Sequence, residues 1–193
     1  SGKLPETMPR KPRTDIDYPG SSMVVRYDER LEIGYRYYDK HPEDIAYPFG
    51  HGLSYTTFDY SDFSVKCENN NLKFNFKVTN TGDVAGKEAV QIYFEKKESL
   101  VVRSKKELIG FTKTHLLEVG ESQTMGITIP IHRLAYFNVG LHKDVIESGK
   151  YTFLLAASAT DIRCKTDFIY NEPYLDDEIV GYSKQRECKY CNS

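Results

Sequence analysis

Between residues 71 and 156 the chain alternates apolar and polar side chains with a period of two. In LKFNFKVT, Leu72, Phe74, Phe76 and Val78 share one face, while Lys73, Asn75, Lys77 and Thr79 share the other. That is the pattern of a strand with one side buried and one side in water. EAVQIYFEK repeats it with Val90, Ile92 and Phe94, and ESQTMGITIPI with Met125, Ile127 and Ile129. KKELIGFTKTHL, LAYFNV, KDVIES, GKYTFLLAAS and IRCKTDFIY continue the series, punctuated by turn-forming NTGDVAG, VGES, NVGLHKD and ESGKY. About eight short strands, with no helix of ordinary length between residues 60 and 165, predict an all-β fold, a β-sandwich of immunoglobulin-like type.

The two ends break the pattern. Four of the eight prolines (Pro5, Pro9, Pro12 and Pro19) fall in the first 20 residues. Such density predicts an extended, mostly irregular N-terminal arm. Residues 21–40 carry Val24, Val25, Leu31, Ile33, Tyr35, Tyr37 and Tyr38, and predict a short helix or turn around 28–34 followed by an extended YRYYD. YPFGHGLSYTTF, residues 47–58, concentrates glycine, proline, histidine and aromatics just before the first strand. Residues 169–193 are acidic, then basic, with few anchors: they wrap the sandwich, lead into a further domain, or lie loose.

Composition narrows the functions. A chain of 193 residues holds one domain, or one domain plus a fragment of another. With 26 basic against 28 acidic side chains there is no basic excess, which argues against a nucleic-acid partner. No apolar run reaches membrane-spanning length, so no membrane partner is expected. SGKLPETMPRKP lacks the apolar core of a signal peptide, leaving the compartment open between cytoplasmic and secreted. The missing initiator Met leads us to expect a piece of a longer protein. The aromatics comprise 15 Tyr, 10 Phe and no Trp. Tyrosine suits half-buried sheet faces, and it also stacks on sugars.

Candidate chemistry is sparse. Cys67 and Cys164 lie in predicted strands, where two buried thiols are expected, or a bridge if the strands are neighbours. Cys188 and Cys191 form a C-x-x-C. Zinc needs four ligands and no second pair accompanies them, while a redox pair wants a helix N-terminus; no metal or cofactor is expected. Asp28, Glu29, Asp39, Glu43 and Asp44 are available for glycoside hydrolysis, but no spacing singles out a pair. There is no G-x-S-x-G elbow. The GHG at 50–52 lacks the third glycine of a dinucleotide fingerprint and leads into a strand. His51, flanked by Gly50 and Gly52, is expected to stabilise its own turn.

SGKLPETMP, IGYRYYD, YPFGHGLSYTTFDYSDF, VTNTGDVAGKEAVQIYF, KELIGF, LEVGES and GKYTFLLAASATDIR occur in this order. Together they resemble the C-terminal part of glycoside hydrolase family 3 enzymes, the β-glucosidases and β-xylosidases, over about residues 1–165. The resemblance implies a parent in which a barrel domain carries the aspartate nucleophile and an α/β sandwich domain the acid/base glutamate. A fibronectin type III-like domain then closes the C-terminal side. Residues 1–45 would be the last strip of the α/β domain, 46–58 a hinge, 59–168 the fibronectin type III-like sandwich and 169–193 a tail or linker. Neither catalytic motif has a counterpart here, so no residue is assigned as catalytic and the chain is expected to be inactive alone.

The expected role is an accessory module bracing the catalytic domains of a β-glucosidase that acts on terminal β-D-glucosyl residues. Tyr35, Arg36, Tyr37, Tyr38, Asp39, Phe49, Gly50, His51, Gly52, Leu53 and Tyr55 are the expected interdomain and hinge residues, with Phe49, Leu53, Tyr55 and Phe58 anchoring the hinge. The alternative is a carbohydrate-binding module that stacks Tyr93, Tyr136 and Tyr151 on an oligo- or polysaccharide. The absence of Trp counts against it.

Overall fold

The computed structural model describes residues 2–13, 29–171 and 174–175. Asp28 and the Cys188/Cys191 pair lie outside them. The elements run β1 (Met8–Pro9), α1 (Tyr35–Tyr38), β2 (Ile45–Tyr47), β3 (Phe58–Glu68), β4 (Asn71–Asn80), β5 (Ala89–Glu95), β6 (Glu107–Lys113) and β7 (Ser122–Pro130). They continue with β8 (Tyr136–Asn138), β9 (Lys143–Ile146), β10 (Gly149–Ala156), β11 (Ile162–Tyr170) and β12 (Tyr174–Leu175). Two antiparallel sheets form the sandwich, a three-stranded one ordered β3-β4-β7 and a four-stranded one ordered β11-β10-β5-β6. A small sheet, β12-β9-β8, and a β1-β2 ribbon complete the structure. Thus the segment after β11 returns to add a short strand to β9, and the proline-rich arm contributes a strand of its own.

The period-two pattern forms the core. Leu72, Phe74, Phe76 and Val78 of β4 face Val90, Ile92 and Phe94 of β5 and Tyr151, Phe153 and Leu155 of β10, all essentially inaccessible. Phe74 meets Phe153 edge-on, with ring centroids 4.8 Å apart. Each such ring removed from water contributes about 1.5–3 kcal/mol. The β3–β4 register pairs Glu68 with Asn71, leaving a two-residue turn of Asn69 and Asn70 at φ 52° and 58°. Asparagine tolerates this left-handed geometry, which matches the twist of a hairpin.

A buried asparagine ties the sheets together at the end of β4. Asn80 accepts hydrogen bonds from Thr56 Oγ1 and Gly82 N, and donates to Val84 O at 2.9 Å and Leu117 O at 3.0 Å. Its side chain is therefore fully used, and it fixes both the β4–β5 turn and the segment leading into β7.

Three expectations change. YRYYD is one helical turn rather than extended, because α1 directs Tyr35 and Asp39 to a common face. Cys67 is exposed and Cys164 half-buried; they are neither a buried pair nor bridged to each other. Most consequentially, β5 is buried on both faces from Val90 to Phe94, including Gln91 and Tyr93. Alternation alone assigns those two to solvent.

Replacing Asn80 with Ala strands two carbonyls and two donors in the interior. The expected loss is about 3 kcal/mol, read from the urea midpoint of the isolated chain at unchanged m-value.

Candidate functional site

The outer face of the four-stranded sheet is covered by the chain's own N-terminal segments. Gly34, at φ 57°, turns the chain into α1, and Asp39 N donates to Tyr35 O at 2.9 Å. With one turn of helix between them, Tyr35 and Asp39 both reach β6. The Tyr35 hydroxyl accepts from Leu108 N at 2.9 Å, and the Asp39 carboxylate pairs with the Lys106 ammonium. The side chains of that pair are only 5% and 9% exposed. Burial raises the Asp39 carboxyl above its ordinary range, and the attraction of Lys106 only partly offsets it. Arg36 approaches Glu107 at 3.6 Å. The Tyr35 ring packs against Phe49 (5.4 Å) and edge-on to Tyr93 (5.8 Å). Tyr38 is buried, and Tyr37 stacks between His41, at 4.4 Å, and the Arg13 guanidinium, at 3.7 Å.

The GHG loop lies over the same face. Leu4 and the 50–51 turn exchange backbone bonds, Leu4 N to His51 O and Gly50 N to Leu4 O, both at 2.8 Å. Phe49 N donates to Thr7 Oγ1 at 3.1 Å, and Phe49 O accepts from Ala159 N at 2.9 Å. Gly50 sits at φ 78°, and a Cβ there would overlap the amide of Gln91, which accepts from the Tyr93 hydroxyl at 2.6 Å. Glycine is required twice over, for conformation and for closeness. A Cβ on Gly52 would meet the Gly2 carbonyl. His51 serves its own turn: its N–H donates to Pro48 O at 2.9 Å and its ring rests on Tyr47. Lys3 completes the closure, donating to Glu88 Oε1 at 3.0 Å and Ala157 O at 3.1 Å. Glu88 also accepts from the Tyr60 hydroxyl, whose ionisation burial and that carboxylate both suppress.

The remaining candidates divide. Phe58 is buried in the core, as expected of an anchor, but Leu53 and Tyr55 are 85% and 101% exposed and do not anchor residues 47–58 to the sandwich. Tyr93 and Tyr151 are fully buried and have no ring face to offer a sugar. Tyr93 lies beneath α1, while Tyr151 faces the core, donates to Glu147 O at 2.8 Å and has its hydroxyl pushed up to about 12 by burial. Tyr136 is half-buried below the Arg103 guanidinium. The three tyrosines form no platform. Lys106, Leu108, Glu88 and Gln91 were not anticipated from sequence. Their signal was the unbroken apolar run FLLAA at the end of β10, typical of a strand covered on both sides.

The described residues hold no assembled hydrolytic site. Glu29 is bonded to Arg13 at 2.8 Å, Asp39 to Lys106, and Glu43 lies 3.6 Å from His41. His41, Glu43 and Asp44 bring donor atoms within 4.8 Å on a surface turn where His41 is already stacked on Tyr37. A shallow cleft of about 340 Å³ between β6 and β7 is lined by apolar residues with Thr128 and Arg133, and no carboxyl. What this geometry does is mechanical: it seals one face of a sheet with a separate strip of chain.

Comparison with known proteins places that strip in context. Residues 88–159 match the family described as a fibronectin type III-like domain. Thermostable β-glucosidase B of Acetivibrio thermocellus is 42% identical over 172 residues, covering 86% of this chain but 23% of the relative. The structure of β-glucosidase 3B from Thermotoga neapolitana superposes with a TM-score of 0.82 at 38% identity, over 91% of this chain and 25% of that one. The chain belongs with the glycoside hydrolase family 3 enzymes and contains their fibronectin type III-like domain. An exo-α-(1→6)-L-arabinopyranosidase of Bifidobacterium longum is also 38% identical, over 84% of this chain and 22% of its own length. Family 3 relatives with different sugar preferences therefore share this segment, and each is about four times its length.

In this family 3 segment, Asp39→Ala leaves the Lys106 ammonium buried without a counter-ion. It is expected to destabilise the isolated chain by about 3–5 kcal/mol in chemical denaturation. Gly50→Ala imposes left-handed strain and displaces Gln91, for an expected loss of ~2 kcal/mol, with increased amide exchange at residues 49–51.

Proposed function

We propose that this chain is a non-catalytic structural module that braces the catalytic domains of a family 3 β-glucosidase acting on terminal β-D-glucosyl residues. One observation carries the proposal: residues 2–13 and 29–51 are held to the sandwich by buried, directional contacts (Asp39–Lys106, Lys3–Glu88, Gly50–Gln91). In this reading residues 1–45 are the last strip of the α/β sandwich domain and 46–58 the hinge. The contacts that close the chain on itself then join the catalytic portion to the sandwich. Leu53 and Tyr55, exposed on a loop whose two ends are pinned at Gly50 and Thr56, are oriented for that neighbour. A β-glucosyl substrate for the parent is inferred from the names of the relatives. A carbohydrate-binding role draws no support from two buried tyrosines.

The test has two arms. The isolated chain is expected to show no turnover of an aryl β-glucoside and no retention on insoluble glucan; turnover that Glu43→Gln or Asp44→Asn abolishes would sink the proposal. Grafted in place of the matching segment of β-glucosidase B, the chain is expected to lengthen the heat-inactivation half-life of hydrolysis relative to the enzyme truncated before that segment. Asp39→Ala is expected to reverse the gain.

A further inference from the structure

Residues 96–106 connect β5 to β6 at one end of the sandwich, and their backbone is firmly held. Glu147, 7% exposed, accepts from Ser99 Oγ and Leu100 N, each at 2.6 Å. Lys96 Nζ donates to Ser148 O at 2.9 Å. Arg103 donates to Leu134 O at 2.7 Å and lies over the rings of Phe94 and Tyr136. Leu100 and Val102 nevertheless point outward, 92% and 85% exposed.

The β8–β9 hairpin, to whose two flanks this loop is fastened, is built the same way. Asn138 Oδ1 accepts from Leu141 N at 3.1 Å to fix the turn, while Phe137, Val139 and Leu141 are 47%, 74% and 54% exposed. Single exposed apolar residues are ordinary, but five of them on two loops fastened together by hydrogen bonds mark an interaction surface. Loops ordered in advance also lose little entropy on docking.

We infer that this tip is a second docking surface, and that its occupant is an apolar surface on the catalytic remainder of the longer polypeptide. The inference rests on the bracing role proposed above. Two observations favour this occupant. First, the tip is continuous with the strip contact: Arg103 reaches Glu107 at 3.5 Å, and Glu107 reaches Arg36 at 3.6 Å, beside the Asp39–Lys106 pair. Among the described residues, the buried side-chain atoms without a hydrogen-bond partner are Arg36 Nε, Asp39 Oδ2 and Arg103 Nη1. All three belong to this junction, so the polar network closing the strip is incomplete where the tip begins. Second, the chain covers only 23% and 25% of the relatives compared above, which leaves most of such a polypeptide to pack against it.

The experiment uses the β-glucosidase B graft carrying Leu100→Ser/Val102→Ser, Phe137→Ser/Val139→Ser, or, as a control at the opposite end of the sandwich, Val119→Ser. Each tip pair is expected to shorten the inactivation half-life about tenfold, with the control unchanged. Because these side chains are exposed, the unfolding midpoint of the isolated chain should not move for any variant. If the wild-type graft is braced and both tip pairs keep its half-life, the tip is not a docking surface and the bracing proposal stands. If the wild-type graft is no longer-lived than the truncated enzyme, both proposals fall. If the tip variants instead dissociate a dimer in sedimentation, the occupant is a second copy and the inference is overturned.

Discussion

A sheet whose central strands are apolar on both sides cannot leave either side in water. β5 and β10 impose this constraint: Val90, Ile92, Phe94, Phe153 and Leu155 face the second sheet, while Tyr93, Leu154 and Ala156 face the other way. Uncovering Tyr93 and Leu154 would cost roughly 1.5–3 kcal/mol each, a large part of the stability of an ordinary domain. The sandwich therefore requires a cover. It is supplied by α1 and the 48–51 loop, through Tyr35 and Phe49.

Apolar burial explains why a cover exists but not why it sits in one place. Hydrophobic contact is non-directional. Position comes from the polar groups set into the seam: Tyr35 to Leu108, Asp39 to Lys106, Lys3 to Glu88, and the backbone exchange between Leu4 and the 50–51 turn. A buried ion pair contributes little net stability because desolvation offsets attraction, yet a misplaced strip would leave each charge unpaired. Gly50 adds a steric condition, since only a residue without a Cβ lets the loop settle onto Gln91.

Such a seam suits a mechanical part better than a catalytic one. Within the described residues Asp39 and Glu29 are held in ion pairs, Glu43 and Asp44 lie on an open turn, and the cleft between β6 and β7 contains no carboxyl. The segment belongs with the family 3 glycoside hydrolases and contains their fibronectin type III-like domain, and relatives named for different sugars carry it.

Local sequence determined the strands, their inward faces and the hairpin at Asn69–Asn70, because a period of two and a left-handed turn are properties of neighbouring residues. The motifs YRYYD and GHG were legible as important, and Gly50 as a turn. Their role was not. Lys106 is the partner of Asp39 across 67 positions, and no spacing rule links an acid to a base so far away. Tyr93 read as a solvent-facing ring because alternation describes one sheet face at a time, and whether the second face is wet depends on what else the chain brings to it. Leu53 and Tyr55 read as anchors for the converse reason: an apolar side chain carries no record of which surface will cover it. The sequence alone decided which faces shun water; only the tertiary structure decided what covers them, since that covering depends on contacts between segments far apart in the chain.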